Sequence, residues 1–240
     1  MSGDRRVRIL AELSKGGPRV TASRLCHVSA TVTAVNGAGI MMMADELPLG
    51  SLCTTNAVSA AIEDLQYTLG EGPCVDAYHL DQPVLEPDLA EPSEPRWLAF
   101  SQAALHAGAR AVFGFPVRFG SARLGALNLY TDEPGHLTGE QHANAVVMAE
   151  IAAEAVLAIQ AGAPPGELAA ALDEGANVQY AVHQAAGMVS EQLGVSVSQA
   201  LVRLRAHAFA EQRLLADVAA DVVARRLRFA DGDDGEQEPR

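Results

Sequence analysis

Cysteine is scarce in this chain: Cys26, Cys53 and Cys74 are the only three in 240 residues. An odd, widely spaced set does not read as a disulfide framework, and a reducing cytoplasm is the simpler setting. Long apolar runs are missing too. Spanning a bilayer takes about 20 predominantly apolar residues. The longest candidate, residues 143–161, is interrupted by Asn144, Glu150, Glu154 and Gln160, so no membrane partner is expected. The first ten residues, MSGDRRVRIL, have charge but no long apolar core behind them, which does not fit a signal peptide. The seven histidines are scattered. Cys74 and His79 have no second partner nearby in sequence, so neither a metal nor a cofactor is expected.

Positive charge is also in short supply. The net charge is −13, which argues against a nucleic-acid binder until its distribution is considered. Residues 1–19 sum to +3, residues 20–177 to −14, residues 178–229 to +2 and residues 230–240 to −4. The acidity therefore sits in one long region and the tail. The block 178–229 is mildly basic, with Arg203, Arg205, Arg213, Arg225, Arg226 and Arg228. A solvated helix face and an RNA footprint both fit that pattern.

What is present is apolar content, 49% of residues, in a chain long enough for one large domain or one medium and one small domain. Up to about residue 161, short strand-like and helix-like segments alternate. The spacing predicts a helix over 18–34, strands over 38–44 and 49–53, and a helix over 56–66 with Asn56 as N-cap. Gly70-Glu71-Gly72-Pro73 must be a tight loop. A short strand is predicted over 83–86 and a helix over 95–107 with Pro95 in its first turn. The clearest strand pair is 110–118 and 123–131. In the second strand Leu124, Ala126, Asn128 and Tyr130 fall on one face, and Gly125, Leu127 and Leu129 on the other. A helix over 138–161 starts with Thr138 and Gln141 at capping-box spacing. These elements imply one antiparallel sheet with helices packed on it.

In order along the chain stand Gly70-Glu71-Gly72-Pro73-Cys74, Asp88-Leu89, Arg96-Trp97, Phe115-Pro116 and Leu124-Gly125-Ala126-Leu127-Asn128-Leu129-Tyr130. This set resembles the GAF domains of actinobacterial regulators over residues 15–161. The resemblance implies a sensory α+β domain with a ligand face on one side of a central antiparallel sheet. It also implies terminal helices that pair in a homodimer. It places the ligand face between the sheet and the segments 67–80 and 95–107, with Tyr67, Cys74, Tyr78, Trp97, Phe113 and Phe115 as candidate lining residues. Each of these is also a plausible core residue.

Cys74 follows a glycine-rich loop whose backbone N–H groups could lower a thiol pKa. Some GAF proteins are methionine sulfoxide reductases with a cysteine near this loop and a second reactive cysteine before the next core strand. Residues 75–240 contain no cysteine. A redox enzyme at Cys74 is therefore the minor alternative, a buried structural cysteine the plainer one, and no catalytic residue is assigned.

After a turn-rich joint at 162–166, residues 167–229 read as helices. Ala171, Gly175, Val178, Val182, Ala185 and Val189 form a bundle seam at spacings of four and three. Gly187 suggests close helix packing, Gly194 ends the helix, and Ser196 with Gln199 has capping-box spacing. A stripe of Val197, Ala200, Leu201, Leu204 and Ala208 follows, then a last helix with Leu214, Leu215, Val218, Ala219, Val222, Val223 and Leu227 inward. The acidic tail 230–240 is expected to be disordered.

Ala185-Ala186-Gly187-Met188-Val189, Gly194-Val195-Ser196, Ala200-Leu201-Val202-Arg203-Leu204-Arg205-Ala206 and Leu215-Ala216-Asp217-Val218-Ala219 with Val222-Val223 resemble the ANTAR domain. The resemblance implies an all-α three-helix domain that binds RNA hairpins and prevents transcription termination, controlled by the preceding sensory domain. Ala186 stands where many such domains have a basic or hydroxyl residue. The residues assigned to RNA are His183, Gln184, Arg203, Arg205, Arg213, Arg225 and Arg226, because arginines contact phosphate while polar side chains reach exposed bases. The competing reading is a protein-interaction or dimerisation module.

Overall fold

The computed structural model describes residues 2–15, 20–44, 47–92, 94–162, 177–211 and 213–229. Two compact units divide the chain, Met1–Leu172 and Asp173–Arg240. In the first, the elements run α1 (Ser2–Ser14), α2 (Ala22–Thr33), β1 (Gly37–Ala44), β2 (Leu47–Thr54), α3 (Ala57–Leu69), α4 (Pro73–Leu80), β3 (Val84–Glu86), α5 (Leu98–Ala107), β4 (Ala111–Phe119), β5 (Ala122–Thr131) and α6 (Gly139–Gly162). The strands form one antiparallel sheet in the order β2-β1-β5-β4-β3.

Caps set several helix starts. Asn56 and Ser59 satisfy each other's backbone N–H groups at the start of α3. Thr138 and Gln141 do the same for α6. Both follow the sequence expectation. The helix expected over 18–34 begins at Ala22, behind Thr21 as N-cap. The helix expected from Pro95 begins at Leu98, and Trp97 takes the cap position without a side-chain capping bond.

The sheet has two covered faces. Ala38, Ile40, Met42, Phe113, Phe115, Val117, Leu127 and Leu129 pack with α1, α2 and α6 into one apolar core. α6 is long and apolar enough to cross a membrane, but it lies in this core and buries Ala145, Met148, Ala152 and Val156. The opposite face carries α3 and α4, with α5 packed on α3.

Three features depart from the sequence reading. First, residues 2–14 form a helix that buries Ile9 and Leu13, and its Arg5 and Arg6 bind Asn144 and Glu154 of α6. No helix was expected there, and two of its arginines face acceptors on α6. Second, α4 follows directly on the glycine-rich loop, with Pro73 in its first turn, where its missing N–H costs nothing. Third, Cys26 and Cys53 are joined by a disulfide. Their separation of 27 residues hid a Cα–Cα distance of 6.1 Å between α2 and β2. Counting cysteines could not reveal that proximity.

The second unit contains α7 (Asn177–Leu193), α8 (Val197–Ala210) and α9 (Leu215–Val223). Val182, Ala185, Ala186, Val189, Leu193, Ala200, Leu201, Leu204, Ala208, Leu215, Val218, Ala219 and Val222 are buried apolar residues of this unit. Gly194 ends α7 in the left-handed region at φ 62°, and Ser196 with Gln199 forms the capping box of α8. Leu214 is not inward; it sits at the N-cap of α9 and is exposed. The last helix stops at Val223 rather than reaching Phe229. Ala171 and Gly175 of the seam, the joint from 163 onward and the acidic tail lie outside the described residues.

Gly187 is not at a close contact: a Cβ placed there meets nothing within 4 Å. Glycine inside a helix costs about 0.5–1 kcal/mol relative to alanine. Gly187→Ala is therefore expected to stabilise the second unit by about that amount, read as a higher urea midpoint.

Candidate functional site

The face under α3 and α4 holds a cluster of buried polar groups. Glu63 and Gln66 project from α3, Asn128 from the middle of β5, and Cys74 from the first turn of α4; each is at most 3% exposed. Asn128 Nδ2 donates to Glu63 Oε1 at 2.7 Å. The Cys74 backbone N–H donates to Gln66 Oε1 at 2.7 Å. Among the described residues, Glu63 Oε2, Gln66 Nε2 and Asn128 Oδ1 are buried without a hydrogen-bond partner. Burial pushes the Glu63 carboxyl from its ordinary 4.5 up to about 8, against the opposing pull of the Asn128 amide. At neutral pH the cluster therefore holds an uncharged carboxylic acid, which can donate as well as accept.

Cys74 is held differently from a reactive thiol. Burial first, and then the nearby Glu63, push its pKa well above the ordinary value. Its Sγ lies 3.8 Å from the Ala126 carbonyl oxygen. The loop before it does not lower the pKa as its position suggested, because the surrounding protein excludes water. His79, the other half of the sequence's cysteine–histidine pair, is exposed.

Glycines let the helices come close. A Cβ on Gly39 would lie 2.3 Å from Glu63 Oε1. One on Gly114 would lie 2.3 Å from the Pro73 carbonyl oxygen. Gly114 therefore faces α4, and the period-two alternation of β4 turns Phe113 and Phe115 to the opposite face. There both join the core beneath α2 and α6, where the Phe115 ring meets His142 at 5.3 Å. Tyr67, Cys74, Tyr78 and Trp97 are buried on α3, α4 and the turn before α5. The six expected lining residues thus divide between two faces, four against two.

The motif residues form clasps around the site. Glu71 Oε1 accepts from the backbone N–H groups of Ala99 and Phe100 at 3.0 and 2.9 Å, closing the start of α5. Trp97 Nε1 donates to Asp76 of α4 at 3.0 Å. Asp88 takes a two-pronged bond from Arg110, which holds its carboxyl below the usual range.

In the second unit, Asp221 gathers Arg213 and Arg226, and the two guanidinium groups hold its carboxyl below the ordinary value. Arg203, Arg225 and Gln184 are exposed, and Arg205 and His183 are partly buried. Ala186 is 1% exposed, so the residue that departs from the resemblance lies in the core of this unit. Among the described residues, no group of three or more His, Cys, Asp or Glu could hold a metal ion.

A family model for the GAF domain matches residues 18–160. The chain belongs to the GAF domain family. Similar solved structures include the GAF domain from an Acinetobacter phosphoenolpyruvate-protein phosphotransferase, at 14% identity and a TM-score of 0.48, covering 67% of this chain and 96% of that one. The GAF domain of the corresponding Coxiella burnetii protein has 15% identity and a TM-score of 0.48, covering 67% and 95%. A type II free methionine-R-sulfoxide reductase from Thermoplasma acidophilum has 16% identity and a TM-score of 0.41, covering 65% and 94%. No curated protein matches the chain.

Within this GAF domain, sequence reasoning placed the polar cluster's face but named only Cys74 of its members. Glu63 and Gln66 were visible as polar residues three apart on the inward stripe of a helix that also buries Ile62 and Tyr67. Asn128 was visible as an amide within an otherwise apolar strand. The clasp at Glu71 gives a direct test. Removing a charged acceptor from two helix-start N–H groups costs about 1–2 kcal/mol. Glu71→Ala is expected to lower the urea midpoint accordingly, with faster hydrogen exchange at residues 98–101.

Proposed function

We propose that this chain is a signal-responsive RNA-binding regulator of the cytoplasm. In this reading its GAF domain governs an ANTAR-type domain that prevents transcription termination at hairpins, and the chain acts as a homodimer. The observation that supports the reading best is the arginine arrangement on the three-helix unit. Asp221 draws Arg213 and Arg226 together, with Asp217 and Glu211 also acting on Arg213. Arg203 and Arg225 are exposed as well. This positive set suits phosphate, whereas the acidic remainder of the chain does not. A ligand for the sensory domain would be small and polar, meeting the unspent atoms of Glu63, Gln66 and Asn128. To act as a signal it must bind one conformation better than another. The buried, undissociated Cys74 supports a sensor rather than an enzyme.

A gel shift against a leader RNA with two hairpins tests the reading. Wild type is expected to prefer it over scrambled RNA at moderate salt. Arg203→Ala/Arg205→Ala is expected to weaken binding and to flatten its salt dependence, because fewer counterions are released. Equal binding to scrambled RNA would remove the reading.

One observation favours a second reading. Val202 and Phe209 on α8, with the adjacent Leu214, are 61%, 75% and 70% exposed, a surface that also suits a protein partner. Sedimentation of wild type against Phe209→Ser separates the two: a change in oligomeric state with unchanged RNA binding would favour the protein interface.

A further inference from the structure

Cys26 and Cys53 are placed where a bond between them links α2 directly to β2 in the sensory domain. Cys26 is fully buried on α2. Cys53 is partly exposed on β2, the edge strand of the sheet. On one side, α2 is tied to α6: Gln141 Nε2 donates to the Thr33 carbonyl oxygen at 2.9 Å and Asn144 Nδ2 to that of Val32 at 2.6 Å. On the other, β2 leads within two residues to the start of α3. There Thr55 donates through its backbone N–H to Ser59 Oγ and accepts at Oγ1 from the Ala38 N–H, both at 3.0 Å. α3 then carries Glu63 and Gln66. The bridge therefore connects the layer of terminal helices to the helix that bears the polar cluster.

The reduced state is also provided for. Cys26 Sγ lies 3.1 Å from the Cys53 carbonyl oxygen, so a thiol formed there has an acceptor inside the protein. Edge strands have only one neighbour in the ladder, and the β1–β2 pairing already shifts register twice, between Ile40 and Met41 and between Met42 and Met43. A tether on such a strand restrains motion that the sheet alone restrains weakly.

We propose that Cys26 and Cys53 form a reversible redox site whose reactants are low-molecular-weight thiols and peroxides. In reduction, a thiolate attacks Cys53 Sγ, which belongs to the less buried of the two residues. The bond to Cys26 Sγ breaks, Cys26 takes the electron pair and then a proton, and a mixed disulfide remains on Cys53. A second thiolate resolves it, releasing the Cys53 thiolate and the small disulfide. In oxidation, the Cys53 thiolate attacks a peroxide oxygen, the O–O bond breaks and Cys53 becomes a sulfenic acid. Cys26, giving up its proton, attacks Cys53 Sγ and water leaves. Two thiols and one peroxide yield one disulfide and two waters. Cys74 stays outside this chemistry, fully buried with its proton held tightly. The cytoplasmic setting rests on the function proposed above, and disulfides in that compartment are characteristically transient and redox-sensing.

The test uses the full chain without RNA, so its failure is separate from failure of RNA binding. Native protein is equilibrated with reduced and oxidised glutathione, or with hydrogen peroxide, and its thiols are alkylated and located by mass spectrometry. Expected are the loss of the bridge in excess reduced glutathione, its return with peroxide, and Cys74 labelled only after denaturation. Cys26→Ser is expected to trap glutathione on Cys53, whereas Cys53→Ser traps none. Hydrogen exchange of wild type is expected to quicken on reduction, on the order of tenfold, in residues 49–56 and along α2. A bridge that survives excess reduced glutathione in the native protein is a permanent structural bond and overturns the proposal. So does a reduced pair that peroxide leaves open or carries to sulfinic acid, or an exchange change confined to Cys26 and Cys53.

Discussion

Gly114→Ala is expected to destabilise the GAF domain by about 3 kcal/mol, the upper part of the range for overpacking a filled core. The residue lies in β4 between Val84 of β3 and Asn128 of β5, so the strand cannot shift aside without breaking two ladders. The added methyl would stand 2.3 Å from the Pro73 carbonyl oxygen, 2.6 Å from its carbonyl carbon and 3.0 Å from the Cys74 nitrogen. All three are backbone atoms. Relief therefore requires the start of α4 to move as a body, which pulls the Cys74 N–H from Gln66 and disturbs the whole cluster. Gly39→Ala is the informative contrast. The three atoms nearest its methyl all belong to the Glu63 side chain, which is more flexible than backbone. It should cost less, and its cost should shrink further in a Glu63→Ala background, because neighbouring sites are not additive. Urea unfolding of wild type, Gly114→Ala, Gly39→Ala, Glu63→Ala and the Gly39→Ala/Glu63→Ala double variant measures this. A Gly114→Ala midpoint equal to that of Gly39→Ala would mean that α4 does not rest on the strand as described.

Much of the fold was legible because short-range signals and tertiary packing agreed. Asn56, Thr138 and Ser196 announced their helices through a polar capping atom, the last two with a partner three residues on. The strand pair 110–131 showed itself by alternation and a Gly-Ser turn. The misses share a cause: each depended on a contact distant in sequence. Pro95 looked like a first helical residue, but Glu71 fixes the start of α5 nearly thirty residues away. The Cys26–Cys53 bond required α2 and β2 to meet. Phe113 and Phe115 are candidate lining residues through the family resemblance, and also plausible core residues. The smallest residue between them, Gly114, marked that face instead, and parity sent the rings elsewhere. Glu63 escaped notice because a lone acid on a helix is ordinarily a solvated one, and only packing against Gly39 and Asn128 reveals it as buried.

That burial gives Glu63→Gln its expected signature. The folded chain holds a proton on this carboxyl up to about pH 8, whereas the unfolded chain releases it near the ordinary 4.5. Between those values the unfolded state binds fewer protons, so stability falls as pH rises. The contribution is fully present below 4.5 and is lost as pH passes through about 8. A tenfold difference in proton affinity between the folded and unfolded chain corresponds to about 1.4 kcal/mol. On that scale the difference between wild type and Glu63→Gln is expected to change by roughly 2–4 kcal/mol from pH 5 to pH 8, in favour of the glutamine. Glutamine keeps the size of the side chain and the acceptor for Asn128 Nδ2, and its amide adds a permanent donor. Asp88 and Asp221 titrate in both proteins, so their effects cancel in the difference. Parallel stability curves across that window would show that Glu63 is ionised in the folded chain. The cluster would then be a buried anion seeking a cation, not the neutral donor–acceptor surface that its partners describe.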